Sequence, residues 1–412
     1  MATAGVLGNR AAFWVSAAVV VHTLWTSAAP AASYPLYAAA WHLTPTVTTG
    51  IFAVYPITVV ATLLLFGNLS DHVGRRAAML WGLAFSFAGV LCFALAGSVG
   101  WLFIGRAAMG IGVGLSASPS TAALVEFGGA GRNQRANSIA TASTCVGLAL
   151  AVLLGGALIQ YAPQPMHMNF WVLCAVIAVL FAATWRLPRH TRGDDGSRWR
   201  PAAVAVPRSI RLAFAASAMG VTAGYALGAI LLSVGTSIAR ELIGSSNALV
   251  NGAALAVFAL VSGVVALAAK PLPARINVVA GAAASALGMG LLMAAARSHS
   301  LALFLPALAA AGASYSFLVL GGLTLINAHA PAHVRGATLS AVYLVGYLFM
   351  GLIAFAIGLV ATAHGLETAL DFGAPVVAAL AWIAAGLSMA FSARQRARER
   401  RVAAGALCAA AS

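Results

Sequence analysis

Apolar residues along this chain run in long blocks. They do not alternate with polar ones. In the first half the blocks are Ala12 to Leu36, Val47 to Phe66, Ala77 to Ala96, Trp101 to Val125, Ser138 to Ile159 and Phe170 to Trp185. In the second they are Leu212 to Ile238, Ala248 to Ala269, Val278 to Ala296, Leu301 to Ile326, Leu339 to Ala361 and Phe372 to Phe391. Each approaches or exceeds the roughly 20 residues a helix needs to cross a hydrocarbon core. Within lipid a helix satisfies its backbone groups inside its own segment, so the pattern predicts an all-α membrane protein with twelve transmembrane helices. The long polar stretch from Arg186 to Arg211, with Gly193, Asp194, Asp195 and Gly196, divides the blocks six and six. The expected units are a six-helix bundle over 1–187, a cytoplasmic linker over 188–210, a second six-helix bundle over 211–393 and a cytoplasmic tail over 394–412.

Composition agrees with a lipid solvent: 62% of the 412 residues are hydrophobic and 8% are charged, against roughly a quarter charged in a soluble domain. The net charge of +15 could suggest nucleic acid, but its placement argues otherwise. Arg10, Arg75 and Arg76, Arg132 and Arg135, the stretch from Arg186 to Arg211, Lys270 and Arg275, Arg335, and Arg394 to Arg401 fall in every second break, and the intervening breaks hold only Arg240 and Arg297. That alternation is the positive-inside pattern, which puts both termini in the cytoplasm of a bacterial inner-membrane protein. A nucleic-acid surface would be a basic cluster laced with aromatic residues in a soluble domain. Cys92, Cys145, Cys174 and Cys408 stand singly, with no metal-ligand or disulfide spacing. The first block lacks a suitably placed small-residue cleavage site and reads as a retained helix.

Shifting the second half back by 200 positions lays Arg275 on Arg75 (275 − 75) and Arg335 on Arg135 (335 − 135). Internal repeats of this kind let a transporter place its site between two bundles that open alternately to each side.

The break after the second block reads Gly67-Asn68-Leu69-Ser70-Asp71-His72-Val73-Gly74-Arg75-Arg76. Gly67 would let a neighbouring helix approach, Gly74 permits a turn that a β-carbon resists, and Asp71 can face a helix N-terminus or an arginine. Glu126, at the end of the fourth block, is a carboxylate partner for Arg75 or Arg76. The loop resembles that of the major facilitator superfamily, which carries G-x-L-S/A-D-x-x-G-R-R/K between helices 2 and 3, and every defining position is met. The resemblance implies two six-helix bundles and a latch for the outward-open state, carried over to Asp71, Arg75 and Arg76; with Gly67, Gly74 and Glu126, read from the residues, these make up the expected latch. On the residues alone, the same charges also suit a cluster that only sets topology.

Arg106 lies inside the fourth block, four residues before Gly110, again resembling a superfamily pattern. An ion at such depth costs several kcal/mol unless it is paired or hydrated, which marks it as functional by default. The bland alternative is that it snorkels to the interface near Trp101. Gly110 and Gly114 form a pair suited to close helix packing, and Pro119 can bend the block. The fifth block keeps Gly147, Gly155 and Gly156 of the superfamily's antiporter pattern, while Ala151-Val152 replaces its Gly-Pro. This leans towards export.

His22 lies near the middle of the first block beside Trp25 and Thr26. An unperturbed histidine titrates near the physiological range, so His22 could carry a coupling proton, or it could be a satisfied core residue. The other histidines fall near block ends or in breaks. Tyr34, Tyr55, Tyr225, Tyr315, Tyr343 and Tyr347, with Asn327, could line a central cavity. Pro30, Pro35 and Pro56 would loosen the first two spans. None of the eight acids is central in a block, which points to a neutral, zwitterionic or anionic substrate.

The expected function is secondary active transport of such a molecule by alternating access, as proton-coupled efflux. The expected partners are a small-molecule substrate, protons and the bilayer, with no nucleic acid, no metal and no cofactor beyond the proton gradient, and the chain is expected to act as a monomer. A proton-coupled importer of a sugar or organic acid, and a non-transporting sensor on a transporter scaffold, stay open. No nucleotide loop or nucleophile with an evident base argues for an enzyme.

Overall fold

The computed structural model describes residues 6–67, 69–129, 133–188, 206–242, 244–331 and 335–411. Among them, twelve helices are long and apolar enough to cross a membrane. In the first half these are α1 (Asn9–Trp41), α2 (Pro45–Phe66), α3 (Arg75–Ala94), α4 (Val99–Gly128), α5 (Arg135–Tyr161) and α6 (Met168–Trp185). In the second they are α7 (Arg208–Ser233), α8 (Ala248–Ala268), α9 (Ala274–Ser298), α10 (Leu301–His329), α11 (Ala337–His364) and α12 (Leu366–Ala397). The middle of the expected linker lies outside the described residues.

Three boundaries differ from the hydropathy reading, each for a local reason. The first span reaches Trp41, because a 3₁₀ turn at Ala29–Ala32 carries the chain past Pro30 into a further helix, Tyr34–Trp41. The seventh stops at Ser233 and gives way to a short turn, Gly235–Ser237, and a π-helical turn, Ile238–Leu242. The helix that begins at Leu366 continues to Ala411, through the expected tail, since the Ala, Arg, Gln and Glu residues there are good helix formers.

Small residues set the closest helix pairs. A β-carbon on Gly82 of α3 would stand 2.7 Å from the Gly112 oxygen of α4, and one on Gly89 would stand 2.6 Å from the Gly105 oxygen. In the second half a β-carbon on Gly281 of α9 would stand 3.0 Å from the Leu318 nitrogen of α10, and one on Gly288 would stand 2.9 Å from the Ala311 nitrogen. The spacing Gly82-Ser86-Gly89 thus recurs as Gly281-Ser285-Gly288, 199 positions on (281 − 82). At α3 and α9 the internal repeat therefore registers one residue short of the shift that superimposes the arginines.

The halves meet along two helix pairs, α2 with α11 and α5 with α8. One end of the molecule carries the Gly67 to Arg76 loop and is called the loop end below. Most described hydrogen bonds between the halves lie at the opposite end. There, the Thr46 amide and hydroxyl both donate to the Thr362 hydroxyl at 2.8 Å. The Ala248 amide donates to Gln160 Oε1 at 2.9 Å, and the Thr236 hydroxyl donates to the Ala31 oxygen at 2.8 Å. At the loop end Lys270 donates to the Ser138 hydroxyl at 3.1 Å.

Candidate functional site

Pro30 begins the construction of the site. A proline has no N–H to give, so Pro30 breaks the helical ladder of α1 and Pro35 leaves the Ala31 oxygen without its donor, and main-chain oxygens around the break turn to side chains. Ser27 oxygen accepts from Arg106 Nη1 of α4 at 2.9 Å, Ala29 oxygen from Asn169 Nδ2 of α6 at 3.0 Å, and Ala31 oxygen from Thr236 beyond α7. The break therefore gathers three helices of the first bundle and one end of the second.

Arg106 is fully buried. It does not snorkel. Its guanidinium carbon lies 4.5 Å from the centre of the Tyr55 ring and 5.4 Å from that of Phe52, both on α2. These are cation–π distances, and desolvation strengthens such contacts. Its Nε and Nη2 groups make no hydrogen bond within the protein. Among the described residues the ion pairs are Arg75 with Glu126 and Arg297 with Asp371, so the Arg106 charge is compensated by a carbonyl and two aromatic faces. Tyr34, buried on the far side of the α1 break, lies within electrostatic reach of it.

Across from this arginine the second bundle presents tyrosines. The Tyr225 ring of α7 stacks on Tyr315 of α10 at 6.2 Å and tilts against Tyr347 of α11 at 4.8 Å, with Phe258 of α8 edge-on to Tyr315 at 5.6 Å. Tyr55 comes within electrostatic reach of Tyr315 and Tyr347. Arg106, Tyr55, Tyr225, Tyr315 and Tyr347 thus form one neighbourhood that crosses the boundary between the halves. Tyr343 lies half-buried beside it.

His22, Trp25 and Thr26 are buried on α1 within about one turn. Both ring nitrogens of His22, Trp25 Nε1 and Thr26 Oγ1 make no hydrogen bond within the protein. Buried polar groups are ordinarily partnered, so an orphaned set on one stretch of helix is an exception that calls for a reason. Asn327 is placed elsewhere: it is exposed in the last turn of α10 at the loop end and does not join the tyrosines. His42 and His299 act as helix ends, closing α1 and α9 in left-handed backbone at φ 52° and 51°.

At the loop end, Gly74 takes φ 87°, ψ 151° directly before α3, a conformation that a side chain resists. Arg75 follows and bridges Glu126 Oε1 from Nε at 3.2 Å while Nη1 donates to the Ser70 hydroxyl at 2.6 Å. Arg76 turns away, to the Leu187 oxygen at 3.2 Å and over the Trp185 ring at 5.5 Å. Of the two arginines open to Glu126 in sequence, Arg75 is the one that pairs. The side chain of Asp71 lies outside the described residues. Among the described residues, the nearest atoms that a β-carbon on Gly67 would meet belong to Leu63 of the same helix, and Gly67 ends α2 as an exposed cap.

A family model for the Major Facilitator Superfamily matches residues 14–355. The chain belongs to the Major Facilitator Superfamily. Superfamily relatives of known structure share its fold. A point mutant of the nucleoside transporter NupG superposes with a TM-score of 0.76 at 13% identity, covering 92% of this chain and 99% of that one. A bacterial homolog of the human lysosomal transporter Spinster, in an inward-facing and unoccupied conformation, gives 0.69 at 15% identity, covering 92% and 98%. In sequence, the MFS-type transporter EfpA of Mycobacterium tuberculosis, in strains CDC 1551 and H37Rv, is 34% identical over 114 residues. That match spans 27% of this chain and 21% of the relative. The family is one of membrane transporters, in keeping with the twelve described helices long and apolar enough to cross a membrane.

Several partners in the site carry no sequence signal of their own. Ser27 acts through its main-chain oxygen, and Phe52 looks like any other apolar residue of α2. Asn169 and Thr236 could have been flagged as polar residues at the edge of apolar blocks. Gly110 and Gly114 both turn to α2: β-carbons there would meet Tyr55 and Thr58, and Thr62. They hold α4 against the helix that covers the Arg106 guanidinium.

Proposed function

We propose that the chain is a proton-coupled exporter that moves a small neutral, zwitterionic or anionic molecule out of the cell by alternating access. The observation that carries this reading is the fully buried Arg106, compensated by Ser27, Tyr55 and Phe52 with no carboxylate beside it among the described residues. A cationic substrate would meet that charge as repulsion; a neutral or negative one would not.

His22 supplies the coupling proton. It is a titratable side chain fully buried inside a span, beside the unpartnered Trp25 and Thr26 groups. The direction is supported by α5, where the retained antiporter glycines sit at tight contacts. A β-carbon on Gly147 would strike the Val21 oxygen of α1, and one on Gly156 would stand 2.5 Å from the Ala248 oxygen of α8. The loop end is cytoplasmic, with both termini, in a bacterial inner membrane. The opposite end carries two described arginines, Arg297, held by both oxygens of Asp371 at 3.0 Å, and exposed Arg240 beside Glu241, against the larger basic clusters of the loop end. One chain carries both halves, so a monomer completes the cycle. The Arg75–Glu126 contact, Ser70 and the Gly74 turn form the latch at the cytoplasmic end.

The test is proton movement in proteoliposomes loaded with a pH-sensitive dye. Labelled substrate is followed in the same vesicles, because an exchanged proton moves against the substrate and a symported proton moves with it. Substrate-stimulated proton flux opposite in direction to the substrate supports exchange. Flux in the same direction assigns import, and the absence of any proton movement removes the coupling.

A further inference from the structure

We infer that the site built around Arg106 takes the carboxylate of an aromatic organic acid. This rests on the reading of that site as the transport site and narrows its substrate from neutral, zwitterionic or anionic to one class.

The geometry of the guanidinium decides the charged end. One of its edges is in use, with Nη1 on the Ser27 oxygen at 2.9 Å. Its environment includes the Phe52 and Tyr55 rings, at 5.4 and 4.5 Å. The other edge, Nε with Nη2, is buried and makes no hydrogen bond within the protein. Those two N–H groups run parallel, and their spacing matches the two oxygens of a carboxylate in the bidentate pairing that distinguishes arginine from lysine.

No described acid is available for that edge. The nearest on the same helix in sequence, Glu126, is twenty residues along α4 (126 − 106), about 30 Å at the helical rise, and is paired with Arg75. A buried guanidinium with no anion is costly, and an arriving carboxylate removes that cost at the same time as it binds. A neutral polyol could hydrogen-bond the edge but would leave the charge uncompensated. The Tyr34 hydroxyl is also buried and makes no hydrogen bond within the protein.

The opposite wall decides the rest of the molecule. Tyr225, Tyr315 and Tyr347 offer stacked and tilted faces, and Tyr55 brings the arginine side within reach of them. Rings of that arrangement suit an aromatic body by offset or edge contact. The substrate is therefore a ring that carries a carboxylate, the acid on α4 and the ring against α7, α10 and α11.

The experiment uses the purified full chain in lipid nanodiscs and matched pairs of probes: benzoate with benzamide, 4-hydroxybenzoate with its primary amide, and indole-3-acetate with indole-3-acetamide. Chloride and benzyltrimethylammonium serve as the bare anion and the aromatic cation. Binding is read as protection against thermal unfolding and by competition. In the wild type at least one acid binds about tenfold or more tightly than its amide, a difference in keeping with a buried charged pair. Arg106→Gln abolishes the preference, and Arg106→Lys, which keeps the charge without the fork, recovers only part of it. The wild-type acid and amide comparison needs no variant, so misfolding of either substitution leaves it intact.

Equal protection by acid and amide, protection by chloride alone, tighter binding of the cation, or no protection by any acid overturns the assignment. Proton flux in the same preparation separates this from the reading beneath it. Flux driven by the amides or the cation leaves transport standing and removes the carboxylate. Acids that bind tightly but drive no proton movement keep the carboxylate and remove the coupling.

Discussion

Arg106 on α4 lies over the Tyr55 ring of α2, with its guanidinium carbon 4.5 Å from the ring centre, while Nη1 reaches the Ser27 oxygen of α1 at 2.9 Å. Three helices of the first bundle converge on one buried charge, and the ring helps to stabilise it. Replacing Tyr55 by Phe keeps that face and gives up only the hydroxyl's contact with the Ser27 side chain, so thermal unfolding of the purified protein should change by about 1 kcal/mol or less. Tyr55→Leu removes the face and should destabilise by about 1–2 kcal/mol, the scale of a desolvated cation–π contact. Equal unfolding temperatures for the two variants would show that the ring does not support the arginine.

Gly358 of α11 lies against α2 at the end opposite the loop. A β-carbon there would strike Thr49 and stand 2.9 Å from the Pro45 oxygen, and the Gly358 oxygen accepts from the Thr46 hydroxyl at 3.1 Å. Gly358→Val should therefore prevent that end from closing. Transport in proteoliposomes is expected to fall about tenfold or more, with normal membrane insertion, because even 1.4 kcal/mol against the closed state shifts its population tenfold. Wild-type rates in this variant would show that the α2–α11 contact does not have to close.

The Arg75–Glu126 pair is partly exposed, with side-chain exposures of 25% and 37%, so its direct energy is small, about 0.2–1 kcal/mol for such pairs. A double-mutant cycle on Arg75→Ala and Glu126→Ala, read by thermal unfolding, should return a coupling within that range. If the pair works as a latch, the same variants change transport rate several-fold, because a small energy placed in one conformation biases the cycle. A rate unchanged in both single variants would reduce the loop to a determinant of topology.

His22→Gln tests coupling without a large change in volume. Net transport driven by a pH gradient should be lost, while exchange of labelled for unlabelled substrate at equal pH continues. Retention of gradient-driven transport in the variant would move the coupling proton to another group.

The spans were open to sequence reading because every helix meets either lipid or another apolar helix, so hydropathy marks both. Arg106 was legible for the converse reason: a permanent charge stands out in an apolar block. Its partners were not. Ser27 reaches Arg106 through an oxygen that every residue possesses. Asn327 and the tyrosines looked alike as polar residues in apolar blocks, yet Asn327 sits in an exposed last turn while Tyr225, Tyr315 and Tyr347 converge. Helix rotation and depth separate them, and in a span buried on nearly all sides the pattern has no polar face from which to read rotation. Thr46 and Thr362 are two more hydroxyls at block ends until the fold brings them to 2.8 Å.

Alternating access about this buried centre is tested most directly by distances at the two ends, measured with spin labels in a variant lacking the native cysteines. One pair, at exposed Thr44 and Ala363, reports on the end where Thr46 bonds Thr362; the other, at exposed Asn137 and Ala268, reports on the loop end near Ser138 and Lys270. On lowering the pH or adding an aromatic acid, one distance should lengthen as the other shortens. Two distances that stay fixed, or that lengthen together, would contradict alternating access.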